Sequence, residues 1–141
     1  MQPGQLYRHD KFYLSAETGR YEPKYFVVLA FTPAGDVVAR LLTSRAHGRP
    51  EQTPCYHGNP YPGYYLGVLG PPLGAKSWID LRGIEDFDIS NLQRKLKQQQ
   101  ISLITTLPTI TFTALLDCAA NADDTTKLQE SCIRSQLATL R

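Results

Sequence analysis

The chain has 141 residues, of which 42% are hydrophobic, and its formal net charge is only +2. This length predicts one domain, or one domain with a small extension, and the charge excludes a polycation that binds nucleic acid through its overall charge. The first ten residues lack the apolar stretch of a signal peptide, and no run of about 18 apolar residues predicts a membrane span. We therefore expect a cytoplasmic protein without membrane contact.

Residues 1–88 hold nearly all of the glycine, proline and tyrosine, and this composition favours strands over helices. The apolar run 24–32 is typical of a strand that is buried on both faces. The Pro-Ala-Gly sequence at 33–35 then predicts a hairpin turn into a partner strand at 36–44. Five short strands joined by hairpins favour an α+β protein built on a small, SH3-like β-barrel. The predicted strands span 4–14, 24–32, 36–44, 64–70 and 77–84.

Residues 89–141 contain one proline and no glycine, which predicts a C-terminal helical extension to the barrel domain at 1–88. Periodic apolar residues indicate three helices, at 89–100, at 111–120 and at 123–141. Asp88 or Ser90 is a candidate N-cap for the first of them. In the third helix, one apolar face is predicted from Leu128, Cys132, Leu137 and Leu140. These faces need a partner surface, which is either the barrel or another chain.

The three cysteines, Cys55, Cys118 and Cys132, form an odd set without a Cys-x-x-Cys motif. This pattern predicts free thiols in a reducing compartment. Cys55 and His57 are two residues apart, as in some metal sites, but no second pair of ligands lies near them in the sequence. We therefore predict neither a metal site nor a cofactor.

The candidate site begins where the strand 36–44 ends in two hydroxyl residues, Thr43 and Ser44. Arg45, His47 and Arg49 follow within five positions. Strand-end hydroxyls commonly bond the backbone of a turn, and a charged loop is usually only solvated. The same residue types also suit RNA cleavage, which requires phosphate binding, proton transfer and stabilisation of a charged phosphorane.

Lys24 strengthens the second interpretation because of its place in the predicted hairpin. In an antiparallel pair joined at 33–35, Lys24 lies at the same end as Thr43 and Ser44. The segment 45–63 that follows is longer than an ordinary connection, which indicates a functional or mobile loop. Its tyrosines, including Tyr56 and Tyr61, either stack on RNA bases or pack over the end of the barrel.

Four segments in order resemble the MazF/PemK-like toxin family, whose members are small-barrel RNA endonucleases of toxin–antitoxin pairs. The segments are "PGQLYR", "KYFVVLA", "LLTS" and "LGAKSWIDLRGIEDFD", and the similarity covers roughly residues 3–96. The resemblance places the family's catalytic basic residue at Lys24 and its hydroxyl partner at Thr43, with Ser44 beside it. It implies metal-independent cleavage of single-stranded RNA, a homodimer with the RNA groove across it, and a cognate antitoxin that fills the groove.

The leading hypothesis is therefore an endoribonuclease toxin in which Lys24 stabilises the phosphorane and Thr43 and Ser44 orient the phosphate. RNA binding or proton transfer is assigned to Arg45, His47 and Arg49, with Arg82 as a further candidate for RNA binding. Lysine stands where the family has arginine, so it keeps the charge but lacks the bidentate fork. The alternative is a non-catalytic module that binds RNA, or binds a protein through its helical tail.

Overall fold

The computed structural model describes residues 1–141, which form one antiparallel sheet of seven strands and three helices. The strands are β1 (Gln5–Leu14), β2 (Tyr21–Phe31), β3 (Val37–Thr43), β4 (Cys55–Tyr56), β5 (Gly63–Gly67), β6 (Ser77–Asp80) and β7 (Ile101–Thr106). The helices are α1 (Ile89–Lys97), α2 (Thr109–Ala120) and α3 (Lys127–Thr139). The order of strands across the sheet is β4-β5-β6-β3-β2-β1-β7.

The sheet is open, so the predicted five-stranded barrel is wrong, although the α+β class is compatible with the structure. Two strands were not predicted: the two-residue β4 lies inside the Pro- and Gly-rich loop, and β7 lies among residues expected to be helical. β4 pairs with β5 and β7 pairs with β1, so the two additional strands extend opposite edges of the sheet. A barrel requires its first and last strands to meet, and here these edges lie apart.

The β2–β3 hairpin forms around the predicted turn. The amide of Gly35 donates to the carbonyl of Thr32 at 2.8 Å, and the amide of Thr32 donates to the carbonyl of Asp36 at 2.8 Å. Gly35 has a φ of +90°, a conformation that side chains with a Cβ rarely adopt. Residues 26–30 of β2 are all buried, which confirms the strand predicted to be covered on both faces.

The two faces of the sheet are covered by different helices because successive side chains of a strand point to opposite sides. On one face, Val37 and Ala39 of β3 pack in a cluster with Phe26, Val28 and Leu92 of α1. On the other face lies the larger core, which is formed with α2 and α3. Its members include Val27, Leu29, Val38, Leu42, Ile79, Leu115, Leu116, Ile133 and Leu137.

The helices begin at well-defined caps. Asp88 is the N-cap of α1, and its side chain accepts a hydrogen bond from the amide of Asn91 at 3.0 Å. α3 begins later than expected, after Thr126, which forms a capping box with Gln129. No helix in the fold combines the length and apolar character that crossing a membrane would require.

A buried arginine of the sheet fixes α3 and changes the face predicted for that helix. Arg40 of β3 is fully buried, and its guanidinium donates to the side chains of Gln129 at 3.1 Å and Thr125 at 3.3 Å. Gln129 is therefore buried, whereas Leu128, which was placed on the packed face, is 54% exposed. The helix turns this polar side chain inward because the arginine needs a partner there.

The prediction of three free cysteines is also wrong. Cys55 of β4 and Cys118 of α2 form a disulfide, with their Cα atoms 5.7 Å apart across a sequence separation of 63 residues. Cys132 is the free thiol. α2 contacts both β4 and β5, and this long-range packing, which spacing along the chain does not reveal, brings the two cysteines together.

Candidate functional site

A cavity of about 550 Å³ opens beside the ends of β2, β3 and β6. Segments on either side of β5 form its rim, and they include residues 72–75. Seven of the nine predicted site residues line this cavity: Lys24, Thr43, Ser44, Arg45, His47, Arg49 and Arg82. Tyr61 contacts three of these side chains, and Tyr56 lies elsewhere.

The β2–β3 hairpin brings Lys24 and Thr43 to the same cavity. The antiparallel ladder between the two strands ends at the pair Phe26–Leu41, two residues short of each of these side chains. Beyond that pair, Lys24 of β2 pairs with His9 of β1, and Thr43 of β3 pairs with Trp78 of β6. The hairpin therefore brings the ammonium group and the strand-end hydroxyl to one end of the cavity.

Lys24 and the hydroxyl groups remain available to a ligand. Lys24 is half-buried and takes part in none of the five ion pairs of the protein. The hydroxyl oxygen of Thr43 accepts a hydrogen bond from the amide of Arg45 at 3.1 Å, as expected of a turn. That bond uses a lone pair of the oxygen and leaves the hydroxyl proton free to donate. Ser44 beside it is exposed.

Asp80 organises the opposite wall of the cavity. Its carboxylate accepts from Nη2 of Arg82 at 2.7 Å and from Nε of Arg82 at 3.1 Å, and it lies 3.3 Å from Nη2 of Arg49. Burial raises the pKa of Asp80, but the hydrogen bonds from Arg82 and the charges of both arginines outweigh burial, so the pKa lies below its usual range. Asp80 is consequently ionised at neutral pH and acts as an acceptor.

Arg49 is buried, and its guanidinium is occupied by the protein itself. Its Nε donates to the carbonyl of Pro62 at 3.0 Å and its Nη1 donates to the carbonyl of Arg45 at 3.1 Å. Gly63 leaves the space that this side chain fills, because a Cβ at Gly63 would lie 2.5 Å from Cδ of Arg49. Arg49 therefore holds the loop and Asp80 in place, whereas the exposed guanidinium of Arg82 faces the cavity.

The ring of Tyr61 supports the rim. His47 stacks on it with the ring centroids 4.5 Å apart, and the guanidinium carbons of Arg82 and Arg49 lie 5.2 and 5.4 Å from its centre. These contacts orient an imidazole and two cations, which gives Tyr61 a positioning role. Tyr56 instead lies over Gly58, where an added Cβ would collide with its phenol ring.

The cavity residues that sequence reasoning missed include Asp80 and Tyr13. Asp80 lies two residues before Arg82, and this acid-to-base spacing at the end of a strand was the available signal. Tyr13 is 45% exposed on the cavity rim and comes from β1, far from the other lining residues in sequence. No local pattern connects Tyr13 to the site, because the β1–β2 pairing alone brings it there.

Fold and site together define a small α+β protein whose open sheet carries a cationic, hydroxyl-bearing cavity. One lysine, three arginines and one carboxylate line this cavity. An anionic ligand with several acceptor oxygens suits such a lining. Comparison with known proteins identified no matching family model, curated protein or solved structure.

Proposed function

We propose that the protein is an endoribonuclease of the MazF/PemK-like toxin type, which binds single-stranded RNA in the cavity and cleaves it without a metal ion. The observation that carries this proposal is the convergence of Lys24, Thr43, Ser44 and His47 on one cationic cavity. This convergence also supports the resemblance seen in the sequence motifs, because the residues matched to the catalytic pair, Lys24 and Thr43, line the same cavity.

Charge favours a phosphodiester as the ligand. The chain carries a formal net charge of only +2, yet Lys24, Arg45, Arg49 and Arg82 all belong to one cavity. The single carboxylate there, Asp80, is already paired with two of these arginines. Phosphate contacts supply much of the affinity of proteins for nucleic acids, and a local cluster serves this purpose in a nearly neutral chain.

The cleavage chemistry requires one proton removed, one proton returned and one charge stabilised. The 2′-oxygen of the RNA attacks the adjacent phosphorus as its proton leaves, and the bond from phosphorus to the 5′-oxygen breaks. The products are a 2′,3′-cyclic phosphate and a 5′-hydroxyl. His47 is the lining side chain suited to proton transfer, because an imidazole both accepts and donates. Lys24 and the hydroxyl of Thr43 stabilise the additional negative charge of the phosphorane.

The surrounding residues hold these groups and the substrate in position. Tyr61 keeps His47 and Arg82 at the rim through its ring. The exposed ring of Tyr13 offers a stacking surface for a base of the bound strand, and stacking accepts any base. A single strand fits this arrangement because its bases are free to turn outward.

The test is cleavage of a labelled single-stranded RNA of mixed sequence by the purified protein in the presence of a chelator. We expect fragments that end in a cyclic phosphate, and a rate about 10²–10³-fold lower for Lys24→Ala. Lys127→Ala is the matched control, since it removes the same charge from the exposed start of α3, on the other side of the sheet. Intact RNA with the wild-type protein would eliminate the nuclease proposal.

The same proposal includes a toxin's partners and its effect on growth. We expect expression to arrest growth, co-expression of a cognate antitoxin to relieve the arrest, and Lys24→Ala to lack the effect. We expect light scattering to give the mass of a homodimer.

The second candidate is a module that binds RNA or a protein partner without cleaving RNA. The observation that favours it is the lysine at position 24, which provides a point charge instead of the two parallel donors of an arginine. Binding of RNA that weakens with Lys24→Ala, without any cleavage by either protein, would favour this candidate. A Lys24→Arg variant that gains cleavage would show that the missing fork is the cause.

A further inference from the structure

Three potential metal ligands meet on the side of the sheet that faces α2, apart from the cationic cavity. Cys55 belongs to β4, His57 follows two residues later, and Cys118 lies on α2. The Nε2 atom of His57 is 3.2 Å from Sγ of Cys55 and 3.9 Å from Sγ of Cys118. Tertiary packing therefore supplies the third ligand that the sequence pair Cys55–His57 lacked.

We propose that Cys55, His57 and Cys118 form a zinc site when their disulfide is reduced. Two thiolates and an imidazole are ligands that Zn²⁺ prefers, and a water molecule completes the tetrahedron. With Zn–S near 2.3 Å and Zn–N near 2.0 Å, a tetrahedral ion holds its sulfur and nitrogen ligands about 3.5 Å apart. The two nitrogen-to-sulfur distances, 3.2 and 3.9 Å, lie on either side of that value.

The surroundings of the three residues suit an ion that enters from solvent. Cys118 is buried in the larger core, Cys55 is half-buried and His57 is exposed. The buried sulfur of Cys118 lies on α2, while the exposed imidazole of His57 lies on the solvent side. The open side next to His57 is where the water ligand binds.

The redox step that opens the site balances with a dithiol reductant. A thiolate of the reductant attacks one sulfur of the Cys55–Cys118 bond, that bond breaks, and the second thiol of the reductant displaces the mixed disulfide. The reductant becomes a cyclic disulfide, and its two hydrogens appear on the two protein thiols. Zn²⁺ then binds both sulfurs as thiolates and releases two protons.

Each of the two cross-links, disulfide and zinc, ties β4 to α2. β4 lies between the segment that carries His47 and Arg49 and the segment that carries Tyr61. The zinc ion thus preserves, in a reducing environment, the attachment that the disulfide provides in an oxidising one. Structural zinc sites stabilise folded proteins because the unfolded chain does not present its ligands together.

The experiment measures zinc binding to the full-length chain in two redox states. A phosphine reductant is used because it does not contribute thiols that compete for metal; it takes up oxygen from water and leaves both cysteines as thiols. Bound zinc is determined by equilibrium dialysis and elemental analysis, and Co²⁺ serves as a spectroscopic probe for thiolate ligation. Cys132→Ser is the matched control, because Cys132 is the thiol outside the cluster.

We expect one Zn²⁺ per reduced chain, a thiolate-to-cobalt charge-transfer band with Co²⁺, and no binding to the oxidised chain. Cys132→Ser should behave like the wild type. His57→Ala changes an exposed side chain, so the variant should fold, and its zinc affinity should fall at least about tenfold. The proposal is overturned if the reduced wild type binds no zinc, if the oxidised chain binds it equally, or if His57→Ala has unchanged affinity.

Discussion

Asp80→Asn tests the role assigned to the carboxylate that holds two arginines in the cavity wall. The substitution preserves the shape of the side chain and removes its negative charge. The side chain of Asp80 is 12% exposed and that of its partner Arg49 is 1% exposed, so the charge of Arg49 would remain buried without a counter-ion. Arg82 is 52% exposed and can be solvated instead.

The size of the effect follows from these exposures. Removing one member of a buried ion pair costs about 3–5 kcal/mol. The contact with Arg49, at 3.3 Å, lacks hydrogen-bond geometry, and Arg49 keeps two backbone carbonyl acceptors. We therefore expect the free energy of unfolding of Asp80→Asn to fall by about 2–3 kcal/mol at pH 7. For a chain of this length, the midpoint of thermal unfolding should fall by about 6–10 °C.

The pH dependence separates a charge effect from a packing effect. The pKa of Asp80 is lowered in the folded state, so its contribution to stability is fully present above its usual value of 3.8. That contribution is lost as the pH falls from there through the folded-state pKa, because protonation then favours the unfolded chain. The stability difference between wild type and Asp80→Asn should therefore shrink in this acidic window.

The measurement is unfolding in urea followed by tryptophan fluorescence, because the only tryptophan, Trp78, is buried two residues from Asp80. Glu51→Gln is the control, since it neutralises an acid whose ion pair with Lys76 is exposed, and it should leave the unfolding midpoint unchanged. Equal midpoints for Asp80→Asn and wild type at pH 7 would refute the proposed role of the carboxylate. So would a stability difference that stays constant down to low pH.

Three further substitutions or treatments test the packing around the site. Gly63→Ala would place a Cβ 2.5 Å from Cδ of the buried Arg49, so the free energy of unfolding in urea should fall by about 1–3 kcal/mol. Gly74→Ala is the control, because a Cβ there would meet open space and should leave the free energy of unfolding nearly unchanged. Arg40→Ala removes the buried guanidinium that donates to Thr125 and Gln129, so its free energy of unfolding should fall by about 1–3 kcal/mol, and an unchanged free energy of unfolding would contradict that role. Reduction of the Cys55–Cys118 disulfide in metal-free buffer should lower the free energy of unfolding by about 4 kcal/mol, given the 63-residue separation, and an unchanged urea midpoint would exclude this contribution.

The strands and helices with strong local signals were predictable from the sequence. The continuous apolar run of β2 and the Pro-Ala-Gly turn predicted the central hairpin, and Asp88 marked the start of α1. β7 was missed because its neighbours are good helix formers, although its own residues, Ile101–Thr106, are mostly β-branched. β4 has only two residues and carries almost no local signal.

Only the part of the candidate site that the β2–β3 hairpin contributes could be predicted from the sequence. Lys24 and Thr43 were predicted to lie at the same end of the hairpin because one turn joins their strands, and both line the cavity. The burial of Arg49 and the pairing of Asp80 with Arg82 depend on where β5, β6 and the loop pack. Composition also could not show that Tyr61 supports other side chains of the rim, since that contact joins separate segments.

By itself, the sequence determined the local features of this protein: the hairpin at its centre, the three helical segments and the collection of cations and hydroxyls near one strand end. Periodicity and turn chemistry act over a few residues, so a linear reading captures them. Only the tertiary structure decided that the sheet stays open, that Arg40 is buried beneath α3 and that Cys118 meets Cys55 and His57. Those outcomes depend on how helices and strands that are far apart in the sequence pack against each other. That packing decides which apolar surfaces are buried and which buried polar and charged groups find partners.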